Sequence, residues 1–478
     1  MIRTRFAPSP TGFLHVGGLR TALYCYLFAK KNNGKFILRI EDTDQSRKVD
    51  GAMENLIDTL KWAGINFDEG PTVGGDFGPY IQSERLNIYH EHAQKLVDED
   101  KAYFCFCSPE RLDEVRKKQI ELKIPPQYDR LCRELPKEII EQKKSNGEKF
   151  VVRMKVPLIG ETTFVDLIRG NVTIANKVLD DQVLLKSDGF PTYHLAVVVD
   201  DHFMKISHVI RGEEWLPSTP KHILLYKYFG WELPHFAHLP LLLNPDKSKL
   251  SKRQGDVAVE DYKAKGYLKE AIVNFISLLG WNPGDNREIF SLEELKNEFS
   301  LERVGKSGAI FNIEKLNWIN QEHLRKKTDE EILELITPLY KLKNWDTSNS
   351  DYIKKVIALM KERVITLNDF TSFCDFFFVD PENYDEKGIA KNWTSETPNL
   401  LNQLASEFEQ MSNFTYLEIE KVMRKIAENN QVSAAKLIHP LRLASSGLSL
   451  GPSLFHLVEV LGKETILRRI KKAIEKIK

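Results

Sequence analysis

The residues Arg3-Thr-Arg-Phe-Ala-Pro-Ser-Pro-Thr-Gly-Phe-Leu-His-Val-Gly-Gly-Leu-Arg20 decide the fold. Arg3 to Ala7 reads as a short strand, Pro8 and Pro10 stiffen the loop after it, and Gly17-Gly18 open a helix. Leu19, Ala22, Leu23, Tyr26 and Leu27 recur on one face of that helix, and Asn32-Asn33-Gly34 stop it. Strand, glycine loop and helix N-terminus together make an anion site, because free N–H groups and the positive end of the helix dipole point above the strand. His15 stands just before that N-terminus, where an imidazole can donate to a phosphate oxygen. Gly17 and Gly18 let a base or a phosphate approach the backbone. Neither G-x-G-x-x-G nor G-x-x-x-x-G-K-[ST] is present, so this stretch alone fits a plain βα turn with a surface histidine equally well.

A second stretch changes the balance. Lys249-Leu-Ser-Lys-Arg253 strings cations along a loop flanked by Asn244-Pro-Asp246 and Gln254-Gly-Asp256. Alone it would be a solvated basic loop. Paired with His15-Val-Gly-Gly18, it resembles the two-part signature of class I aminoacyl-tRNA synthetases. The likeness narrows with Arg5-Phe-Ala-Pro-Ser-Pro-Thr-Gly12, Arg39-Ile-Glu-Asp-Thr-Asp44 and Arg211-Gly-Glu-Glu214, which together are similar to the bacterial glutamyl-tRNA synthetases over essentially the whole chain.

The bulk composition is compatible. A chain of 478 residues is expected to divide into several domains, and 42% hydrophobic with 28% charged residues is an ordinary globular balance. Sixty-eight basic residues cancel 68 acidic ones, but the whole-chain sum hides patches: Arg111 to Lys155 holds 13 basic and 8 acidic residues, a local +5, and Arg468 to Lys478 holds six and one. No stretch approaches the ~18 apolar residues of a membrane span, and no signal segment is seen, so no membrane partner is expected. Five cysteines, unevenly spread, argue for a reducing cytoplasm and against a disulfide framework.

The fold class expected is α/β: a Rossmann-like parallel-sheet catalytic domain with an α+β insertion, then an all-α C-terminal region. The domain boundaries expected are 1–101 and 191–245 for the two catalytic halves, 102–190 for the insertion, 246–320 for the lysine loop and stem-contact domain, and 321–478 for the helical region. Phe36 to Ile40 reads as a buried strand ending in Glu41-Asp-Thr-Asp44, an acidic cluster at the sheet edge where ligands bind. Asp42, Thr43 or Asp44 could equally cap a following helix. Met53 to Ala63 is helical and Gly70 to Pro79 a glycine-rich loop. Phe150 to Val156 and Phe164 to Ile168 are β-rich, and Tyr193 to Val199 reads as a buried parallel strand. Ser218-Thr219-Pro220 starts a helix, and Tyr267 to Trp281 is an amphipathic one ending at Gly280. Beyond Gln321, helical periodicity recurs at 330–341, 351–364, 417–429 and 453–478.

Cys105, Cys107 and Cys132 could supply three thiolates to a tetrahedral Zn²⁺, with Tyr128 near by; the tight C-x-C spacing fits chance burial as well. The resemblance adds that some glutamyl enzymes carry zinc at a matching C-x-C plus Y-x-x-x-C. Glu134 stands where some relatives have histidine, which leaves the fourth ligand open.

The resemblance implies a glutamate–tRNA ligase. ATP and Mg²⁺ would activate L-glutamate to glutamyl-adenylate, which passes to the 3′-terminal adenosine of tRNA(Glu). A non-catalytic tRNA-binding pseudo-synthetase is the alternative, and a monomer is expected. His15, Lys249 and Lys252 take the catalytic roles, with Thr11, His15, Gly17, Gly18 and Lys252 on ATP. The insertion would grip the acceptor end and the helical region the anticodon, where Phe373 and Phe376 to Phe378 could stack on bases or simply form core. For glutamate, Arg5 and Arg211 pair with carboxylates, Glu41 takes the α-ammonium, and Ser9 and Tyr193 are neutral hydrogen-bonders. Glutamine would leave a guanidinium unpaired, so discrimination by about 10⁴–10⁵ needs no editing domain.

Overall fold

A computed structural model describes residues 1–47, 49–250 and 257–477. Eleven strands occur among them: β1 Arg3–Phe6, β2 Lys35–Leu38, β3 Ala102–Cys105, β4 Val151–Met154, β5 Glu161–Asp166, β6 Gly170–Ala175, β7 Val183–Leu185, β8 His208–Gly212, β9 His235–Leu239, β10 Leu242–Leu243 and β11 Ala309–Ile310. The chain forms two compact units, Met1–Tyr262 with Ile272–Ile313, and Lys263–Ala271 with Glu314–Lys478.

The first unit is built on a six-stranded sheet in the order β2-β1-β8-β9-β5-β6. The first five strands run parallel and β6 pairs antiparallel at the edge. Thr4 faces Phe36 on one side and His208 on the other, so the chain order reverses across β1. At such a switch point the loops leave the carboxyl ends of β1 and β8 in opposite directions, and a crevice opens between them. The helix after β1, α1 (Val16–Lys31), covers the sheet with Leu19, Leu23 and Leu27, all fully buried.

Tyr193 to Val199 is not a strand. It begins the helix Tyr193–Phe203. Its run of Leu195-Ala-Val-Val-Val199 is buried all round, and a short apolar run without periodicity suits a fully buried helix as well as a strand. The residues expected to cap a helix after β2 act differently. Asp42 is buried and accepts from the amide and hydroxyl of Ser83 at 2.8 and 2.7 Å. Asp44 precedes a single 3-10 turn, Gln45–Arg47, and its carboxylate accepts from the Ser46 hydroxyl at 2.7 Å, while the next α-helix, Ala52–Trp62, starts from Gly51 in the left-handed conformation.

Within the stretch expected as an insertion, β3, β4 and β7 form a separate antiparallel sheet with the helices Pro109–Glu121 and Lys137–Ser145. β5 and β6 behave otherwise. They extend the large sheet, because Asp166 pairs with Phe236 of β9.

The second unit is predominantly helical. Thr328 and Glu331 close a reciprocal capping box on the helix Asp329–Leu342, and Asn349 caps Ser350–Met360. The terminal helical stretch is broken into Leu454–Leu461 and Lys463–Lys476 at Gly462, whose φ of +80° a side chain would disfavour. Phe376 and Phe377 are buried and Phe378 stacks on Trp345 at 4.6 Å, whereas Phe373 is exposed. Among the described residues no helix is long and apolar enough to cross a membrane.

Candidate active site

The crevice above β1 and β8 is a cleft of about 550 Å³. Nine residues named from the sequence line it: Arg5, Ser9, Thr11, His15, Gly17, Gly18, Glu41, Tyr193 and Arg211. Local geometry places each. Arg5 rides on β1 and Arg211 on β8, Glu41 follows β2, and Tyr193 opens its helix.

His15 is the N-cap of α1. Its Nδ1 accepts from the amide of Gly17 at 2.9 Å, which puts the proton of the neutral ring on Nε2. Two jobs are thereby combined in one side chain: capping the helix and presenting an N–H at its N-terminus.

Lys249 is exposed and does not line the cleft. It follows a hairpin in which Asn244 bonds Ser248 and the amide of Leu250 donates to Leu242 at 2.9 Å. Lys252 lies outside the described residues. On the far side of that gap the chain returns to α1: Val16 donates to Val257 at 2.9 Å, and Val259 donates to Leu14 at 3.0 Å.

Beneath the cleft lies a buried charge network. Arg39, wholly buried, bonds Glu41 at 3.0 Å and Asp201 at 2.8 Å. Asp201 also receives Arg5 at 3.0 Å. Asp200 is held by Arg85 at 2.7 Å, by Tyr89 and by Gln82. Burial alone would raise the Asp201 carboxyl, but Arg5 and Arg39 outweigh it and hold Asp201 below the usual carboxylate range. For Glu41 burial wins over Arg39, and its carboxyl titrates above the ordinary range.

Arg211 is treated differently. Its Nε donates to His238 Nε2 at 3.1 Å, Nη1 to Tyr193 Oη at 3.0 Å and His222 Nδ1 at 3.2 Å, and Nη2 to Thr219 Oγ1 at 2.9 Å. His238 in turn donates from Nδ1 to Asp166 at 2.6 Å. His222 joins His194 at 3.1 Å.

Sequence reasoning left Arg39, Asp201, His222, His238, Gln82 and Trp215 without a role. Trp215 lies against the Tyr193 ring at 4.1 Å and lines the cleft; its place beside Arg211-Gly-Glu-Glu214 was the available signal. Gln82 carries no local mark.

A second constellation lies elsewhere in the first unit. Cys107 Sγ is 3.6 Å from Cys132 Sγ, and Tyr128 Oη stands 3.3 Å from Cys105 Sγ and 3.4 Å from Cys107 Sγ. All three sulfurs lie within 4.8 Å of one another. Hydrogen bonding from Cys132 pulls the Cys105 thiol down to about 4. Glu134 is engaged by Lys155 at 3.4 Å and Arg133 at 3.6 Å.

A parallel sheet with a histidine-capped helix over its switch point defines a class of protein, and the family comparison agrees. Residues 1–318 match the model for the catalytic domain of class I tRNA synthetases (E and Q), and residues 330–474 match an anticodon binding domain. Glutamate–tRNA ligases of Chloroherpeton thalassium and Chlorobium luteolum are 54% and 53% identical, over 100% and 99% of this chain and 98% and 97% of theirs. A solved glutamate tRNA ligase from Elizabethkingia meningosepticum, in complex with its amino acid, superposes with a TM-score of 0.94 at 42% identity, over 100% of both chains. The chain belongs to the glutamate–tRNA ligases.

Proposed function

We propose that this enzyme activates L-glutamate with ATP in the cleft above β1 and β8 and transfers the glutamyl group to the 3′-terminal adenosine of tRNA(Glu). The α-carboxylate attacks the α-phosphorus, pyrophosphate leaves, and the 2′-hydroxyl of the adenosine then takes the acyl group from the adenylate. The observation that carries this is the gathering of the nine named residues around one cleft.

No side-chain nucleophile is required, so catalysis is positioning and charge neutralisation. His15 Nε2, the helix start at Gly17-Gly18 and Thr11 hold the phosphates. Mg²⁺ arrives on the phosphates of ATP. Lys249 and Lys252 meet the charge that grows on pyrophosphate. Glu41 receives the α-ammonium, Arg5 and Arg211 pair with carboxylates, and Ser9 and Tyr193 donate or accept alongside.

The remaining domains handle tRNA: residues 102–190 the acceptor end, 246–320 the stem, 321–478 the anticodon, in a cytoplasmic monomer. Three sulfurs and a phenol oxygen at these separations suit a tetrahedral ion with Zn–S bonds near ~2.3 Å. Cys105, Cys107, Cys132 and Tyr128 would therefore hold Zn²⁺, which would cross-link the segment Tyr128–Cys132, after the helix Pro109–Glu121, to the end of β3.

The test is charging. Purified protein with ATP, L-glutamate and separate tRNA(Glu) and tRNA(Gln) transcripts is expected to form glutamyl-tRNA(Glu), AMP and pyrophosphate. Failure to attach glutamate to any tRNA overturns the assignment.

A further inference from the structure

The cleft is lined by Arg5, Arg47 and Arg211 and by Glu41, Asp44 and Glu214, but ion pairing is unevenly shared among its buried arginines. Arg5, Arg39 and Arg85 are matched in the buried network by Glu41, Asp200 and Asp201. Arg211, equally buried, has no carboxylate against it among the described residues. Its N–H groups end on two imidazoles, a phenol and a threonine hydroxyl.

Both imidazoles must be neutral and of fixed tautomer to accept. His238 accepts at Nε2 and gives its Nδ1 proton to Asp166; His222 accepts at Nδ1, which leaves its Nε2 proton for His194 Nδ1. Burial keeps them so. It drives His222 far below the usual imidazole range and His194 down to about 3, and it lowers His238 despite the opposing pull of Asp166. The Asp166 carboxylate thus stands one residue behind, on the far side of His238.

We propose that His222, His238 and Thr219 are specificity-determining positioning residues: they satisfy the Arg211 guanidinium without neutralising it, so one guanidinium of the amino-acid pocket keeps its charge with no protein carboxylate paired to it. An amino acid with two carboxylates and one ammonium, net −1, cancels that charge; its amide isostere, net zero, leaves it buried and unpaired. An acidic side chain at any of these three positions would supply from the protein the anion that the substrate is meant to bring. The proposal rests on the assignment of this cleft to glutamate.

The test uses side chains of equal shape and different charge. His222→Asn and His222→Asp both place an oxygen where Nδ1 accepts, but only the aspartate adds a carboxylate. In the full-length enzyme, amino-acid-dependent ATP–pyrophosphate exchange is measured with tRNA(Glu) present. The Asp variant is expected to show a KM for glutamate about 10- to 100-fold above that of the Asn variant, the usual worth of a hydrogen bond to a charged group, with the same KM for ATP. Its preference for glutamate over glutamine should fall by a similar factor. Thr219→Asn and Thr219→Asp form a second pair, in which an aspartate in the first helical turn is well tolerated by the helix, should the His222 pair not fold. Equal glutamate KM and equal selectivity within both pairs would show that these residues serve packing alone and overturn the proposal. A wild-type enzyme that exchanges with an amino acid other than glutamate, or with none, would overturn the assignment of the cleft as well.

Discussion

The amide of Val16 donates to the carbonyl of Val257 at 2.9 Å. That bond returns the chain, just past the Lys249–Arg253 run, to the first turn of α1. Leu250 is bonded to Leu242 before the gap, and Ala258 bridges His15 after it. Residues on either side of Lys252 in the chain are thus anchored, Leu250 on β10 and Val257 at the first turn of α1.

Because His15 both caps α1 and presents Nε2–H, two substitutions should separate its roles. His15→Ala removes the cap and is expected to cost about 0.5–2 kcal/mol of stability. His15→Asn restores a good cap without a ring donor. Thermal melting of the Asn variant should match wild type while the KM for ATP rises; equal loss of ATP affinity and stability in both variants would refute the division.

Lys252 is expected to act on the leaving pyrophosphate. Lys252→Ala should reduce kcat by roughly 10²–10³, the usual effect of deleting one donor aimed at developing charge, with little change in glutamate KM. Steady-state exchange kinetics decide this, and a pure KM effect would contradict it.

Glu41 should give the enzyme an acid-sensitive amino-acid site. Its carboxyl is raised by burial, so as pH falls it takes up a proton before an ordinary glutamate would. The charge that meets the ammonium is then lost, and kcat/KM for glutamate should fall on the acid side while the KM for ATP holds. Folding stability moves the other way. A carboxyl raised in the folded state contributes most when protonated, and that contribution is lost as pH rises through the raised value. A flat glutamate profile across the acidic range would exclude the role.

The cysteine cluster should bind metal. Purified enzyme is expected to carry one zinc per chain by elemental analysis. Cys132→Ser should lose it and lower the melting temperature, because the cluster otherwise leaves three thiols packed without a cross-link. Full stability with no bound metal would leave the cysteines as plain core.

Where sequence reasoning succeeded, the determinants were local. The Arg3–Arg20 stretch declares a strand, a turn and a helix start within a few residues, and Thr219-Pro220 likewise begins its helix as expected. Where it failed, the missing information was tertiary. Leu195 to Val199 reads as a strand until the elements that bury it on all sides are known. Asp42 looks like a helix cap until Ser83 reaches it.

The order of residues by itself determined the family and the sheet-to-helix turn, because a phosphate-binding turn needs particular side chains at short spacings, and through the family resemblance it pointed to nine residues that line the cleft. Only the tertiary structure decided how the arginines differ. Arg5 shares Asp201 with Arg39, while Arg211 meets neutral imidazoles brought from β9 and the helix Thr219–Phe229. A guanidinium's effective charge depends on which partners stand within hydrogen-bonding distance of it, and folding sets that distance between residues remote in the chain.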